Sequence, residues 1–149
     1  MTAPAIRDEG LGNDQAEATF RAFEAGTLPP ADFSHRCHLS VGWTYLQRYG
    51  FPEGVVKFRE RLKAYVVSVG AAAKYHETVT WAYMALMNEE MSLRSPPGER
   101  FESMIERRAD LLDHRHGAIA QCYSREQLES EQARQVFTLP RQRNPASKS

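Results

Sequence analysis

The chain has few of the features that mark secreted, membrane or nucleic-acid-binding proteins. Two cysteines among 149 residues, Cys37 and Cys122, are too few for a disulfide framework and have no CxxC spacing. The longest apolar runs, such as 64–69 and 81–87, are far shorter than the ~20 residues that a membrane helix needs. Nineteen basic residues balance nineteen acidic ones, so no excess positive charge attracts a phosphate backbone. We therefore predict a cytoplasmic protein that binds neither membranes nor nucleic acid.

Several catalytic signatures are also missing. The sequence has no GxSxG elbow, no glycine-rich phosphate loop, no HExxH and no pair of carboxylate-rich helices of the Glu-x-x-His di-iron type. Each of these motifs serves a defined reaction or cofactor. Their absence argues against those chemistries, and no nucleotide or flavin motif is present.

The punctuation by glycine and proline predicts an all-α protein, because it cuts the chain into stretches of helical length. We expect a compact bundle of four to five main helices with a short C-terminal helix that starts near Ser124. Residues 13–138 would form one domain, since 149 residues at 42% hydrophobic content suit a single core. Residues 1–12 and 139–149 would be flexible tails. The main helices are predicted at 13–25, 34–49, 52–69, 72–91 and 97–112.

The five histidines lie in only three places: His35 and His38, His76, and the pair His114 and His116. Short connections make successive helices antiparallel neighbours. The first turns of helices 34–49 and 72–91 would therefore lie at one end of the bundle, together with the end of helix 97–112. The topology thus predicts that the histidines converge on one site.

The positions of His35 and His38 suit a metal site. They are spaced i, i+3 on the inward stripe of their helix, so two imidazoles can reach one point. A first-turn position favours neutral imidazole, since the helix dipole opposes the added proton. With His76 as third ligand, the predicted metal is zinc first and iron second. A lone histidine in such a position is more often a cap or a hydrogen-bonded core residue.

Other polar residues near the predicted site suit acid–base or binding roles. Glu77, Tyr45 and Tyr83 are the candidates for proton transfer. Lys74 and Thr80 would contact the substrate. These roles would apply with a metal present or, in a metal-free variant, with the histidines themselves as acid and base.

Arg108 is an anomaly, because it falls in the middle of the apolar stripe of helix 97–112. A buried guanidinium needs an anionic partner. We therefore expect Arg108 to pair with Glu77 or Asp113, or to bind an anionic substrate. His114 and His116 follow in a turn closed by Gly117 and are secondary candidates.

These residues support two functional hypotheses of different classes. The first is a small helical enzyme, metal-dependent in our interpretation, that carries out hydrolysis, hydration or elimination on a small polar or anionic molecule. The second is a non-catalytic helical protein that binds a ligand or a partner, with the histidines as pH-sensitive or structural residues. Stoichiometric metal in protein made without a histidine tag would separate the metal-dependent form of the enzyme hypothesis from its metal-free variant. A homo-oligomer is compatible with either hypothesis.

Three blocks of sequence resemble the signature of a family of small, uncharacterised bacterial proteins. The similarity covers about residues 20–140, and it implies no activity, cofactor or catalytic residue. The matching stretches are Phe33-Ser-His-Arg-Cys-His-Leu39 with Val41-Gly-Trp43 and Tyr45-Leu46, then Lys74-Tyr-His-Glu-Thr-Val-Thr80, then Tyr123-Ser124 with Ala133-Arg134.

Overall fold

The computed structural model describes the backbone of residues 3–141 and the side chains of residues 14–141. Within these limits all regular structure is helical, so the predicted all-α fold is confirmed. The α-helices are α1 Ala3–Ala25, α2 His35–Tyr49, α3 Glu53–Ser68, α4 Glu77–Leu93, α5 Phe101–Arg107, α6 Ala118–Cys122, α7 Arg125–Glu129 and α8 Glu131–Gln135. Short 3-10 helices span Pro30–Asp32, Ala72–Lys74 and Ala109–Leu112. None of the helices described combines the length and apolar character needed to cross a membrane.

The chain divides into two compact units, the first ending at Lys74 and the second beginning at Tyr75. We describe them as the first unit and the second unit. The prediction of a single domain at 13–138 concerns how these units combine, and it stays a prediction.

The first unit is built around aromatic side chains of α1, α2 and α3. Phe23 is fully buried, and its ring centroid lies 5.8 Å from that of Phe58 and 5.6 Å from that of Tyr65. Helices α2 and α3 pass so closely that a Cβ on Gly54 would lie 2.6 Å from the carbonyl oxygen of Tyr45. Only glycine permits this approach.

The second unit packs α6 and α8 against α4. Its apolar core holds the fully buried side chains Met84, Met87, Met104, Leu111 and Ile119. Unbranched methionines fill irregular spaces between short helices well. Helix α7 begins at its N-cap Ser124, whose hydroxyl accepts a hydrogen bond from the Gln127 N–H at 3.0 Å, and this confirms the predicted cap.

Some boundaries differ from the predicted ones. Helix α1 starts at Ala3 rather than residue 13; the predicted flexibility of residues 1–12 stays a prediction, and residues 1–2 lie outside the described range. Helix α4 starts at Glu77 rather than residue 72, because His76 caps it. The predicted helix 97–112 is interrupted at Arg108, where φ is −120° and ψ is 49°. Of the predicted tail 139–149, residues 142–149 lie outside the described range.

Candidate functional site

His35 and His38 lie in the first two turns of α2, as predicted, but His38 is engaged with an aromatic ring. Ser34 caps the helix by accepting a hydrogen bond from the Cys37 N–H. The His38 imidazole stacks on Phe33 with ring centroids 3.7 Å apart and an angle of 22°. Burial, with a smaller contribution from His35, lowers the pKa of His38 to about 4. His38 is therefore neutral at pH 7, and burial rather than the helix dipole is the main cause.

His76 uses both ring nitrogens to hold the backbone. Nδ1 accepts a hydrogen bond from the Val79 N–H at 3.1 Å, which caps α4. Because Nδ1 is the acceptor, Nε2 carries the proton and donates it to the Leu128 carbonyl at 2.7 Å. His76 thus connects the start of α4 to α7, and metal coordination would require it to give up one of these two hydrogen bonds.

The predicted metal site gains no support from the described geometry. His35 and His38 belong to the first unit, whereas His76 belongs to the second. Between residues 14 and 141 no group of three or more His, Cys, Asp or Glu side chains is arranged to hold a metal ion. The zinc or iron site, and the roles of these histidines in it, stay predictions.

Two of the proton-transfer candidates, Glu77 and Tyr45, form side-chain hydrogen bonds. Glu77 accepts hydrogen bonds from the Tyr75 hydroxyl at 2.6 Å and from Trp81 Nε1 at 3.0 Å. In the first unit, Tyr45 donates its hydroxyl to Glu24 at 3.1 Å. Burial is the largest cause that raises the pKa of both Tyr45 and Tyr83. Both phenols therefore stay protonated at neutral pH, and their acid–base role stays a prediction.

The two other binding candidates have simpler surroundings. Thr80 is buried and donates its hydroxyl to the His76 carbonyl at 2.8 Å, one turn back along α4. Lys74 is exposed at the end of the 3-10 helix that closes the first unit. Their predicted contacts with a substrate stay predictions.

Arg108 has anionic partners, as its position required, but not the predicted ones. Its Nη1 lies 2.9 Å from Oε1 of Glu90. Its Nε and Nη2 make a bidentate pair with Asp110, both at 2.9 Å. The predicted partners Glu77 and Asp113 are therefore wrong. The reason is that the chain leaves the helix at Arg108, which turns the guanidinium away from the expected face.

Glu90 is the centre of an ion-pair network that sequence reasoning missed. Its carboxylate is fully buried and contacts Arg94 at 2.9 Å and Arg107 at 2.6 Å in addition to Arg108. Burial alone would raise the pKa of Glu90, but hydrogen bonds from Arg107 and Arg108 lower it. Glu99 binds the other edge of Arg107, whose hydrogen bonds lower the pKa of Glu99 to about 2. Glu90 lies three residues after the buried Met87 and so on the same face of α4. This spacing is the feature of the sequence that could have predicted a buried Glu90.

A tight turn between Asp113 and Gly117 presents three consecutive basic side chains. The Asp113 carboxylate accepts hydrogen bonds from the backbone N–H groups of Arg115 and His116, both at 3.0 Å. These two bonds lower the pKa of Asp113. A Cβ on Gly117 would lie 1.9 Å from the carbonyl oxygen of Asp110, so only glycine closes this turn. The turn is thus a defined structure rather than a loose connection.

These side chains line a cleft of about 580 Å³ in the second unit. This volume lies within the usual range for small-molecule sites, roughly 300 to 1,000 Å³. We call it the basic cleft; its lining residues are His114, Arg115, His116, Ala120, Tyr123, Ser124, Arg125, Leu128 and Glu129. His76 supports one wall, since it holds the Leu128 carbonyl. The sequence marked His114 and His116 only as secondary candidates.

The charged side chains of the basic cleft differ in the ion pairs that they form. Arg125 and Glu129 pair at 3.0 Å on α7. His116 is 84% exposed, with Nδ1 3.6 Å from the Asp113 carboxylate. The Arg115 side chain is exposed and, in the part of the chain whose side chains are described, takes part in no ion pair. An unpaired guanidinium beside two histidines can bind a carboxylate or phosphate.

Comparisons with protein-family models, with curated proteins and with solved structures found no match.

Proposed function

We propose that the protein is a non-catalytic ligand-binding protein that takes a small anionic molecule into the basic cleft. The observation that carries this proposal is the position of Arg115, which lines the cleft between two histidines and has no described ion-pair partner. A planar guanidinium offers two parallel N–H donors to a carboxylate or phosphate. The ligand would therefore supply the negative charge that pairs with Arg115.

The residues that line the basic cleft favour a ligand with both an anionic and an apolar part. Ala120 and Leu128 line it along with the basic side chains, and both are partly buried. Mixed sites of this kind use a few polar groups for orientation and apolar surface for affinity. A phosphate ester or carboxylate of an organic molecule fits this description better than a bare inorganic ion.

The Asp113 turn would give the site its rigidity. The backbone of Arg115 and His116 is held by hydrogen bonds from their N–H groups to Asp113. The points from which their side chains extend into the cleft are therefore fixed. A preorganised site loses less conformational entropy on binding. For the same reason, we expect binding at the basic cleft to involve little backbone movement.

The test is a calorimetric titration with inorganic phosphate and a panel of phosphate monoesters and carboxylates. Arg115→Gln is expected to weaken the best ligand roughly 10- to 100-fold, because a charge-assisted hydrogen bond contributes about 1.5 to 3 kcal/mol. Arg21→Gln is the matched control, since Arg21 is 77% exposed on the first unit and pairs with Glu17. Equal weakening by both variants, or by neither, would contradict the proposal.

The enzyme hypothesis is the second proposal, with lower priority. It rests on the neutral state of His38, which is the form that binds a metal or accepts a proton. The described contacts of His76 and Glu77 serve neighbouring groups in the second unit, and they give the hypothesis no further support.

A further inference from the structure

The last residues of the described chain, 136–141, form no helix and lie against the second unit. After α8 ends, Val136 has φ −131° and ψ 138°, which is extended backbone. We call residues 136–141 the C-terminal segment. Its apolar side chains are largely outside the core: Val136 is 59% exposed and Leu139 is 72% exposed. Side-chain burial in this segment is therefore limited mainly to Phe137, which is 42% exposed and whose ring centroid lies 6.4 Å from that of Trp81.

Buried polar side chains hold the segment instead. Thr78 of α4 is fully buried. Its hydroxyl donates to the Val136 carbonyl at 3.0 Å and accepts from the Thr138 N–H at 3.0 Å. Since Thr78 has one proton to donate, the Thr138 hydroxyl, 3.3 Å away, must donate to it. One threonine thus contacts the segment at three points.

Gln127 of α7 also binds the segment, through both the nitrogen and the oxygen of its side-chain amide. It is 1% exposed, and its Nε2 donates to the Thr138 hydroxyl at 3.1 Å and to the Leu139 carbonyl at 2.9 Å. Its Oε1 accepts from the Arg141 N–H at 3.3 Å. The Tyr123 hydroxyl donates to the Thr138 carbonyl at 2.8 Å. We call the surface formed by Thr78, Tyr123 and Gln127 the peptide groove.

Most of these bonds go to the backbone of the segment. They engage Val136, Thr138, Leu139 and Arg141 through main-chain atoms, and Thr138 alone through its side chain. Backbone recognition of an extended chain with one side chain read specifically is how peptide-binding proteins bind strands of varied sequence. Without such a strand, the polar atoms of the three groove side chains would lack these hydrogen-bond partners.

We propose that the peptide groove is a binding site for an extended protein segment with threonine at the central position, and that residues 136–141 occupy it in cis. A partner segment would replace the chain's own segment and take over its hydrogen bonds. The tethered segment has an effective concentration in the millimolar range. It therefore competes strongly with any partner, and weakening the cis contacts opens the site.

The test uses a fluorescently labelled, capped peptide with the sequence of residues 135–141, titrated into full-length protein. Thr138→Val keeps the shape of the cis segment but removes the hydroxyl that contacts Thr78 and Gln127. We expect this variant to bind the peptide roughly tenfold more tightly than the wild type. Val136→Thr is the matched control, because the Val136 side chain is exposed, and it should behave as the wild type. A peptide with Val in place of its threonine should bind Thr138→Val roughly tenfold more weakly than the original peptide.

A second variant covers the case that Thr138→Val fails to fold. Arg141→Pro removes the N–H that donates to Gln127 at the far end of the segment and, with the side chain, the hydrogen bond from the Arg141 guanidinium to Gln132 at 3.4 Å. It should increase peptide affinity severalfold over the wild type. Folded Thr138→Val or Arg141→Pro protein that binds the peptide no better than the wild type would overturn the proposal, as would equal affinity for the threonine and valine peptides.

Discussion

At the scale of single residues, the histidines have different local environments and make different contacts. His38 is neutral because it is packed against Phe33 and partly desolvated. His76 holds two backbone groups, and His116 is exposed beside the basic cleft. The sequence predicted the inward position of His38, but spacing alone does not distinguish an imidazole that stacks on a ring from one that binds a ligand.

His38 should make stability depend on pH. Its folded pKa of about 4 lies below the ordinary value of 6.5, so the unfolded chain binds more protons between these two values. His38 therefore leaves the free energy of unfolding unchanged above about pH 6.5 and lowers it as the pH falls toward 4, by about 3 kcal/mol, since each pKa unit corresponds to about 1.4 kcal/mol. Urea denaturation at several pH values measures this loss.

His38→Gln provides the comparison for this measurement. The variant cannot titrate at position 38, so the difference between its pH curve and that of the wild type isolates the histidine. Carboxylates that titrate below about pH 5 contribute to both curves. Parallel curves from pH 7 to 4 would show that His38 is not desolvated in solution.

At the scale of elements, α4 organises the second unit from both ends. Its first turn is capped by His76 and presents Thr78 to the C-terminal segment. Its last turns carry Glu90, which binds arginines at the end of α5 and beyond it. Periodicity predicted the existence of this helix. It could not predict these contacts, because ion pairs and side-chain hydrogen bonds between distant positions leave no periodic signal.

Glu90→Gln should destabilise the second unit markedly. The substitution keeps the volume but removes the negative charge that Arg107 and Arg108 share. Breaking a buried ion pair from one side costs about 3 to 5 kcal/mol, and since the arginines are partly exposed we expect about 3 kcal/mol. Chemical denaturation measures this. Glu89→Gln is the control at an exposed neighbouring position and should change stability by less than about 0.5 kcal/mol; a similar loss in both variants would contradict the role of the network.

At the scale of the whole molecule, the fold class followed from the sequence, but the location of the candidate site did not. The bounds of α2 and α3 and the Ser124 cap were predictable from local chemistry. The expected convergence of His35, His38 and His76 relied on short connections that make successive helices antiparallel neighbours. His35 and His38 belong to the first unit and His76 to the second. The basic cleft depends on the Asp113 turn, whose hydrogen bonds are local, and on the packing of α6 and α7 beside that turn. Local sequence patterns do not specify this packing.

The most direct test of the proposed site uses the five histidines as internal probes. Two-dimensional NMR of the imidazole groups, recorded while a phosphate monoester is added, reports on every histidine in one experiment. The ligand-binding account predicts that the signals of His114 and His116 shift with saturation, while those of His35 and His38 stay in place. Shifts confined to His35 and His38, or none at any ligand concentration in the panel, would contradict it.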